Sequence, residues 1–470
     1  MNRLSSCALR LAEVLLAVVV GLAAASCGGR AKPTATPTPT PPPCPTGLLG
    51  NVTSPVDITL WHSMTAANQD TLARLVDRFN AAQDKVRVKL VFQGSYTELR
   101  NKYVAALSGG ELPDVVQMED ISTQLMIDSG SAVPAQYCVD ADKYDLSDFL
   151  PRVLAYWTVE GKLWAMPFNV SVPLLYYNKT AFVKAGLDPN KAPASLAEVQ
   201  ADSQKIVSSG AARHGIALEL SPFYVEHWFA GADQPLVDSD NGRAGRARKV
   251  LFNGPLGLRI FTWLQEMVAS KLALDVGLNP QGSQQYLAVA TGDAAMTIGT
   301  SAALGSIMAV LQSGQFKDVS IGVAPLPGVN GTGAVLVGGA ALWVVGRSTP
   351  VKQEAARRFI RWLLEPQQLA EWAAGTGYLP IRRSAVELPA IQQLWSKLPE
   401  FKTAYDELLV GGTGVASSGP VIGAYGQVRN AIAGGMEAMW VGGATPQAAL
   451  TQAASNADAA IADYNSRVGR

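Results

Sequence analysis

An alternation of apolar strands and helices near the start of the globular body most constrains the fold of this chain. Three predicted strands, 56–61, 86–90 and 113–118, are separated by two predicted helices, 71–82 and 97–107. The strands alternate apolar and polar side chains or form a short apolar run, and the first helix carries apolar residues at helical spacing. Strands that alternate with helices form mostly parallel sheets, so we predict an α/β fold.

Polar residues follow each of these three strands. They are 62–64, with sequence His-Ser-Met, 93–96, with sequence Gln-Gly-Ser-Tyr, and 119–120, with sequence Glu-Asp. Ligands bind beyond the carboxyl ends of the strands in such sheets. Ordinary loop polarity is the alternative explanation for any one group. Three groups at one sheet edge favour a ligand site there.

Two later segments predict connections between two lobes, an organisation that the length of 470 residues also favours. Residues 165–179 are extended and contain two prolines, which a central strand tolerates poorly. Residues 335–340 contain two adjacent glycines that allow a bend. Further buried strands are predicted at 294–299, 319–324 and 334–345. We therefore predict an N-lobe of residues 56–168 plus 341–385 and a C-lobe of residues 169–340 plus 386–470.

The first 27 residues predict an export signal. Arg3 and Arg10 precede the apolar run 14–25, which is followed by small residues. Cys27, directly after them, resembles the lipidated cysteine of a bacterial lipobox, although Ala24 stands where leucine is usual. An ordinary cleaved signal is the alternative. The Pro/Thr-rich residues 28–55 predict an extended tether, so we expect an extracytoplasmic protein held at the cell membrane by lipid.

Composition excludes several classes of function. The chain has 38 basic and 38 acidic residues, which argues against nucleic-acid binding. Its three histidines are scattered and its four cysteines form no CxxC pair, so we predict no metal site and no cofactor. Cys44 could pair with Cys138 in an oxidising compartment, or both could remain free thiols.

Several motifs resemble the family 1 extracellular solute-binding proteins of ABC importers. The matching segments are 58–64, 167–179, 338–344, 376–381 and 426–429. The Gly-Tyr-Leu-Pro loop at 377–380 and the Gln-Val-Arg element at 427–429 point to the branch that binds sn-glycerol 3-phosphate and glycerophosphodiesters. The resemblance implies a periplasmic-binding-protein-like fold with two α/β lobes and a ligand cleft. It also implies a monomer that binds a small phosphorylated polyol or sugar and delivers it to membrane permease subunits.

The resemblance places the family's ligand contacts on seven residues of this chain. They are Tyr96, Asp120, Ser171, Thr300, Gly339, Tyr378 and Arg429. A guanidinium suits phosphate because it donates from two parallel N–H groups, and glycine lets a main-chain N–H approach an oxyanion. Hydroxyls add neutral donors, whereas a carboxylate accepts from glycerol hydroxyls. The set therefore predicts a phosphate end around Arg429 and a polyol end around Asp120.

Three alternatives stay open. Loop 220–223 lacks tryptophans that the branch carries there, so a phosphodiester substituent could fit, with Phe223, Tyr224 or Trp228 facing a quaternary ammonium group. A neutral sugar or oligosaccharide could instead stack on Trp61, Trp228 or Trp263. An exported hydrolase is disfavoured because adjacent Glu119 and Asp120 form no facing acid pair and no GxSxG element exists. We therefore predict that the protein is not an enzyme.

Overall fold

The structure is a computed structural model that describes residues 44–279 and 282–468. The predicted signal segment, Cys27 and residues 28–43 of the predicted tether lie outside the described residues. Among the helices of the described ranges, none is both long and apolar enough to cross a bilayer.

Thirteen strands of the described chain are distributed over two main sheets and one hairpin. Their bounds are Val56–His62 (β1), Val86–Phe92 (β2), Val115–Glu119 (β3), Ala132–Val133 (β4), Thr158–Val159 (β5), Lys162–Leu163 (β6), Met166–Ser171 (β7), Pro173–Asn178 (β8), His214–Leu218 (β9), Ala273–Asp275 (β10), Ala294–Thr300 (β11), Ile321–Pro325 (β12) and Gly338–Val345 (β13). The first sheet has the order β2-β1-β3-β13-β4, with β7 on β13, and the second has the order β10-β9-β11-β8-β12. We call each sheet with the helices packed on it the first and the second lobe.

Helices cover both sheets. Their bounds are Ala66–Ala82 (α1), Tyr96–Leu107 (α2), Thr123–Asp128 (α3), Ala135–Asp142 (α4), Pro151–Tyr156 (α5), Lys179–Lys184 (α6), Leu196–Ser208 (α7), Pro222–Gly231 (α8), Asp238–Gly242 (α9), Pro255–Ala269 (α10), Gln284–Ala290 (α11), Leu304–Gln312 (α12), Pro350–Leu363 (α13), Pro366–Gly375 (α14), Arg383–Val386 (α15), Pro389–Lys397 (α16), Pro399–Leu409 (α17), Tyr425–Trp440 (α18) and Pro446–Val468 (α19). Short 3-10 helices occupy Leu48–Asn51, Asp120–Ser122 and Ser301–Ala303. The predicted α/β fold is confirmed.

Strands β1, β2 and β3 pair in parallel, as the alternation predicted. Their carboxyl ends therefore lie at one edge of the first sheet. The antiparallel strand β13 pairs with β3 along one side and with β7 along the other. The loops that follow β1, β2 and β3 thus lie beside the point where β7 leaves the sheet.

Residues 166–178 cross from one sheet to the other as two strands rather than as a loop. Strand β7 pairs with β13 in the first sheet, and β8 lies between β11 and β12 in the second. The prolines fit this arrangement because Pro167 lies in a strand at the sheet edge and Pro173 is the first residue of β8. The crossover therefore consists of two successive strands that are separated only by Val172.

The chain from Cys44 to residue 55, which the sequence placed in the tether, packs on the first lobe. Cys44 forms a disulfide with Cys138 in α4, the pairing that the sequence left open. The backbone N–H groups of Gly47 and Leu48 donate to the Glu354 carboxylate at 3.0 and 2.6 Å, and Leu49 is buried. These contacts fix the start of the described chain to α4 and α13, so the predicted tether ends before Cys44.

The short element α9 is a left-handed turn that delivers Arg243. Ser239, Asp240 and Asn241 have φ angles of 54, 53 and 61°, a conformation that costs non-glycine residues free energy. The Asn241 side chain holds the turn by accepting from the N–H groups of Leu236 and Val237. The following Arg243 donates to five backbone carbonyls, those of Ala155, Tyr156, Thr158, Ser418 and Gly419. The free-energy cost of the left-handed turn is thus offset by the five hydrogen bonds of the Arg243 guanidinium.

Candidate functional site

A chain of hydrogen bonds links the loops at the carboxyl edge of the first sheet. Gln117 on β3 accepts from the Ser63 N–H and donates to the Asn169 side chain at 2.7 Å. Asn169 on β7 donates in turn to the Tyr96 hydroxyl at 2.9 Å. His62 is buried, and burial lowers its pKa to about 4, so it is neutral at pH 7. The edge is therefore a polar network in which the histidine carries no charge.

Tyr96 is held by the capping box that begins α2. The Ser95 hydroxyl accepts from the Glu98 N–H, and the Glu98 carboxylate accepts from the Ser95 N–H. Tyr96 is consequently the first helical residue, and its ring is half-buried at the edge of the first lobe. Its pKa is raised by burial first and by the neighbouring Tyr378 hydroxyl next. Tyr96 and Tyr378 therefore lie side by side.

The loop that carries Tyr378 is rigid for reasons visible in its contacts. The Tyr378 ring stacks on Trp372 of α14 with centroids 5.5 Å apart, and its N–H donates to the Thr376 hydroxyl. Leu379 donates from its N–H to the Val170 carbonyl on β7 at 2.9 Å. The loop is thus bonded to the crossover strand.

Ser301 brings the second lobe against that loop. Its N–H donates to the Val172 carbonyl, and its hydroxyl accepts from the Val172 N–H. A Cβ atom at Gly377 would overlap the Ser301 carbonyl oxygen, so only glycine fits there. The contact therefore joins the Tyr378 loop to the segments that carry Thr300 and Ser171, which are next to Ser301 and Val172 in sequence.

Gly339 lies in β13 opposite Val170 of β7. Its φ angle is 105°, and a Cβ atom there would overlap the Asn169 carbonyl oxygen. Glycine is therefore required by the packing of the two strands, whatever binds nearby. The same close approach sets Gly339 beside Asn169 and hence beside the Tyr96 network.

Arg429 on α18 forms a bidentate ion pair with Glu226 on α8. Its Nε and Nη2 atoms donate to the two carboxylate oxygens at 2.8 and 2.6 Å. The Glu226 side chain is fully buried, whereas that of Arg429 is 23% exposed. A guanidinium has five N–H groups. Glu226 takes two of them, and the other three have no acceptor among the described residues.

Asp120 lies close to this ion pair. Burial raises the pKa of Asp120 to about 7, Arg429 opposes the increase, and Glu119 and Glu226 add to it. Glu119 itself is paired with Arg100 at 2.7 Å. Asp120 and Arg429, which the sequence analysis assigned to opposite ends of the ligand, are thus near enough to shift each other's pKa. The predicted phosphate end and the predicted polyol end therefore lie in one electrostatic environment.

A cavity of about 780 Å³ is lined by Tyr96 and by residues of both lobes. The first lobe contributes residues such as Thr65 and Tyr96, and the second contributes Thr300 and Tyr286. The Tyr286 hydroxyl accepts from the Thr300 N–H, and the Tyr176 hydroxyl donates to the Thr300 carbonyl. Two of the seven predicted contacts, Tyr96 and Thr300, therefore line a space much larger than either side chain.

Several residues that build this region could not be predicted from the sequence. Gln117 and Asn169 lie inside strands, where a polar side chain gives no signal of its partner, and Glu226 is 203 residues from Arg429. The expected cation-binding faces of Tyr224 and Trp228 are wrong, because both side chains are buried. Trp228 and Trp263 pack on each other and donate their indole N–H groups to backbone carbonyls. Neither is free to stack on a sugar.

Known proteins resemble this chain in both sequence and fold. Residues 74–403 match the model of the family described as bacterial extracellular solute-binding protein. The sn-glycerol-3-phosphate-binding periplasmic protein UgpB of Yersinia pseudotuberculosis is 30% identical over 416 residues, which cover 87% of this chain and 93% of that protein. The counterpart from Pectobacterium atrosepticum is also 30% identical, over 86% of this chain and 91% of its own.

Solved structures share the fold. UgpB from Mycobacterium tuberculosis, in complex with glycerophosphocholine, superposes with a TM-score of 0.70 at 24% identity, covering 87% of this chain and 99% of that one. The cyclic α-maltosyl-1,6-maltose binding protein from Arthrobacter globiformis superposes with a TM-score of 0.69 at 22% identity, covering 87% and 100% of the two chains. The periplasmic-binding-protein-like architecture is therefore confirmed.

Proposed function

Since the chain belongs to the bacterial extracellular solute-binding proteins, the capturing components of ABC importers, we propose that it binds sn-glycerol 3-phosphate or a glycerophosphodiester. The relatives at 30% identity are named for sn-glycerol 3-phosphate. Loaded protein would then deliver the solute to membrane permease subunits. Lipidation at Cys27 and a monomeric state remain predictions of the sequence.

The observation that carries the proposal is the partly used guanidinium of Arg429. Glu226 fixes its orientation through two hydrogen bonds, and three N–H groups remain for a ligand. Donors in this number suit the several acceptor oxygens of a phosphate better than the alternating hydroxyls of a neutral sugar. Glu226 also cancels the arginine's net charge, so the site would grip phosphate mainly through hydrogen bonds.

Neutral hydroxyls and main-chain groups supply the rest of the proposed site. Thr300 and Ser171 adjoin the Ser301–Val172 contact in sequence, the Tyr378 loop packs on Ser301 at Gly377, and Gly339 lies on the strand that pairs with β7. Tyr96 and Asp120 lie at the carboxyl edge of the first sheet. Because these residues come from both lobes, closure of the lobes on each other would complete the ligand shell.

The neutral-sugar alternative has less support from the side chains. Two of the three tryptophans proposed to stack on a sugar are packed inside the second lobe. We therefore expect the purified protein to bind sn-glycerol 3-phosphate or glycerophosphocholine and not to bind maltose. Isothermal titration calorimetry with the three ligands and with inorganic phosphate checks this. Binding of maltose with silence towards both phosphorylated ligands would overturn the proposal.

A further inference from the structure

A cluster of hydrogen bonds on Asp128 joins the two lobes. Asp128 is the last residue of α3 in the first lobe, and its side chain is 5% exposed. Arg246, which follows α9 in the second lobe, donates from Nη1 and Nη2 to the two carboxylate oxygens at 2.8 and 2.5 Å. Tyr464 on α19 donates its hydroxyl to Oδ2 at 2.8 Å. Among the ion pairs of the described residues, only the one between Asp128 and Arg246 connects one lobe with the other.

Both sides of this cluster are fixed to their own lobes. In the first lobe, the hydroxyl groups of Ser129, Ser131 and Tyr103 form a chain of hydrogen bonds that ties the end of α3 to α2. In the second lobe, the Asn465 side chain donates to the Ala247 carbonyl at 2.8 Å, which fixes the segment after α9 to α19. Relative motion of the lobes must therefore act on the hydrogen bonds to the carboxylate.

A groove of about 620 Å³ lies between the lobes beside the cluster. Arg100 on α2 and Leu125 on α3 line it from the first lobe, and Gln427 on α18 and Tyr464 on α19 line it from the second. The helices of the two lobes are thus separated along the groove and bonded next to it.

The elements that the cluster connects also carry two of the proposed ligand residues. Asp120 begins the short 3-10 helix that leads directly into α3. Arg429 lies on α18, which packs along α19. Asp120 and Arg429 are near enough to shift each other's pKa. Movement of α3 away from α19 would therefore also separate these two residues.

The buried carboxylate makes the cluster sensitive to the arrangement of the lobes. Gln124 within α3 supplies one hydrogen bond to Asp128 at 2.9 Å, whereas the three bonds described above come from the second lobe. Burial first, and the Asp128 charge next, raise the pKa of Tyr464, so its hydroxyl stays protonated and donates at neutral pH. When the lobes move apart, water can solvate the carboxylate in place of these donors. The cluster therefore stabilises the arrangement in which the lobes are together.

We propose that Asp128, Arg246 and Tyr464 form an interlobe clasp that holds Asp120 and Arg429 together around the bound solute and slows its release. The inference rests on the proposed function and adds positioning residues, since the three clasp residues lie outside the predicted ligand set. The clasp bonds form as the lobes close and break as they open, so they act mainly on the dissociation rate.

The test measures dissociation of glycerophosphocholine and of sn-glycerol 3-phosphate from the purified protein by stopped-flow tryptophan fluorescence. Arg246→Met leaves Asp128 as an uncompensated charge while the lobes are together, so we expect dissociation about tenfold faster and an association rate within about twofold of wild type. Tyr464→Phe removes one hydrogen bond and should accelerate dissociation about threefold. Adding Asp128→Asn to Arg246→Met removes the uncompensated charge and should reverse most of the acceleration.

A matched control is the ion pair between Arg213 and Asp293, which lies within the second lobe. Arg213→Met should leave both rates unchanged. Unchanged dissociation in Arg246→Met and in Tyr464→Phe would overturn the clasp and leave the proposed function intact, even if urea denaturation showed lower stability, because a merely structural ion pair gives that result.

A second measurement separates the clasp from the proposed function. A wild-type protein that binds neither phosphorylated ligand would overturn the proposed function. Small-angle X-ray scattering of the ligand-free proteins then decides on the clasp. We expect a larger radius of gyration for Arg246→Met than for wild type and for Arg213→Met, because the lobes separate more often. Equal radii in that case would overturn the clasp as well.

Discussion

Arg243 and Arg429 are two partly buried arginines of the second lobe that use their N–H groups differently. Arg243 directs all five N–H groups at backbone carbonyls of two segments, 155–158 and 418–419. Arg429 directs two at one carboxylate and keeps three. The first arginine is fully satisfied by the fold, and the second is satisfied only in part.

We interpret the difference as one between a structural cation, Arg243, and the proposed binding cation, Arg429. A buried polar group that lacks partners costs free energy unless something else supplies them. Arg243 has nothing left to offer a ligand, whereas Arg429 gains from one. Net charge does not distinguish the two, because Arg429 is the one already paired with a carboxylate. Counting unused donors therefore singles out the proposed ligand arginine, whereas counting positive charges does not.

The largest effect is expected when Arg243, the fully hydrogen-bonded arginine, is replaced. Arg243→Met would leave five carbonyls without their donor and the left-handed turn without its compensation. We expect the unfolding free energy to fall by about 3 kcal/mol or more, measured by urea denaturation of the isolated protein. Arg248→Met, on an exposed neighbour, serves as the control and should be near neutral. An Arg243→Met variant as stable as wild type would show that the carbonyls find water instead.

Replacing Arg429, which donates only two of its N–H groups to the fold, should change ligand affinity rather than folding. Arg429→Ala should lower affinity for sn-glycerol 3-phosphate by about 100-fold, since several charge-assisted hydrogen bonds are lost together. The same substitution leaves the buried Glu226 carboxylate without its cation. Adding Glu226→Gln should therefore restore stability in thermal melts without restoring affinity in calorimetry. If the double variant regained affinity, Arg429 would act only by neutralising Glu226.

Replacing Asp120 tests how the charges around Arg429 affect folding. Its folded pKa of about 7 lies above the ordinary value of 3.8, so folding favours the protonated carboxyl. This contribution is complete below about pH 4 and is lost as the pH rises through about 7. Asp120→Asn should therefore gain stability relative to wild type as the pH rises. Because the Asp120 side chain is only partly buried and water screens its charge, we expect about 1–2 kcal/mol at pH 8. Thermal melts of both proteins from pH 4 to pH 8 measure it, and a pH-independent difference would contradict the assignment.

The smallest effect is expected when a single neutral hydrogen-bond donor is removed. Tyr378→Phe keeps the stack on Trp372 and removes only the hydroxyl. We expect affinity for sn-glycerol 3-phosphate to fall about three- to tenfold by calorimetry, the contribution of one neutral hydrogen bond. Tyr405→Phe, in a buried ring of α17, is the matched control. Unchanged affinity in Tyr378→Phe would assign this tyrosine to packing alone.

Local patterns predicted the sheets more fully than the site. The alternation at 56–61 and 86–90 and the polar residues after each strand correctly predicted parallel strands with a shared edge. Proline at the first helical position likewise marks the starts of α14 and α19 in the sequence. These features depend on neighbours within a few residues, which a sequence displays directly.

Contacts between distant segments could not be predicted in the same way. The motif around Arg429 marks the arginine, but its partner Glu226 carries no comparable signal in α8. The role of Arg243 is harder still to predict, because backbone carbonyls are present at every residue and leave no trace in the sequence. Tyr224 and Trp228 were misassigned because the helical spacing of α8 does not say which aromatic residues face the core.

The disulfide between Cys44 and Cys138 closes a covalent ring with a sequence separation of 94, which contains the first four strands. By loop-closure entropy such a ring stabilises the fold by about 4–5 kcal/mol against the reduced chain. It also has a mechanical consequence. Any tension arriving through the residues before Cys44 passes by a covalent bond into α4 of the first lobe, and the second lobe bears none of it. With the predicted anchor before Cys44 and the proposed closure of the lobes, the anchored lobe and the moving lobe would be different bodies, and tension on the chain would not load the opening and closing of the cleft.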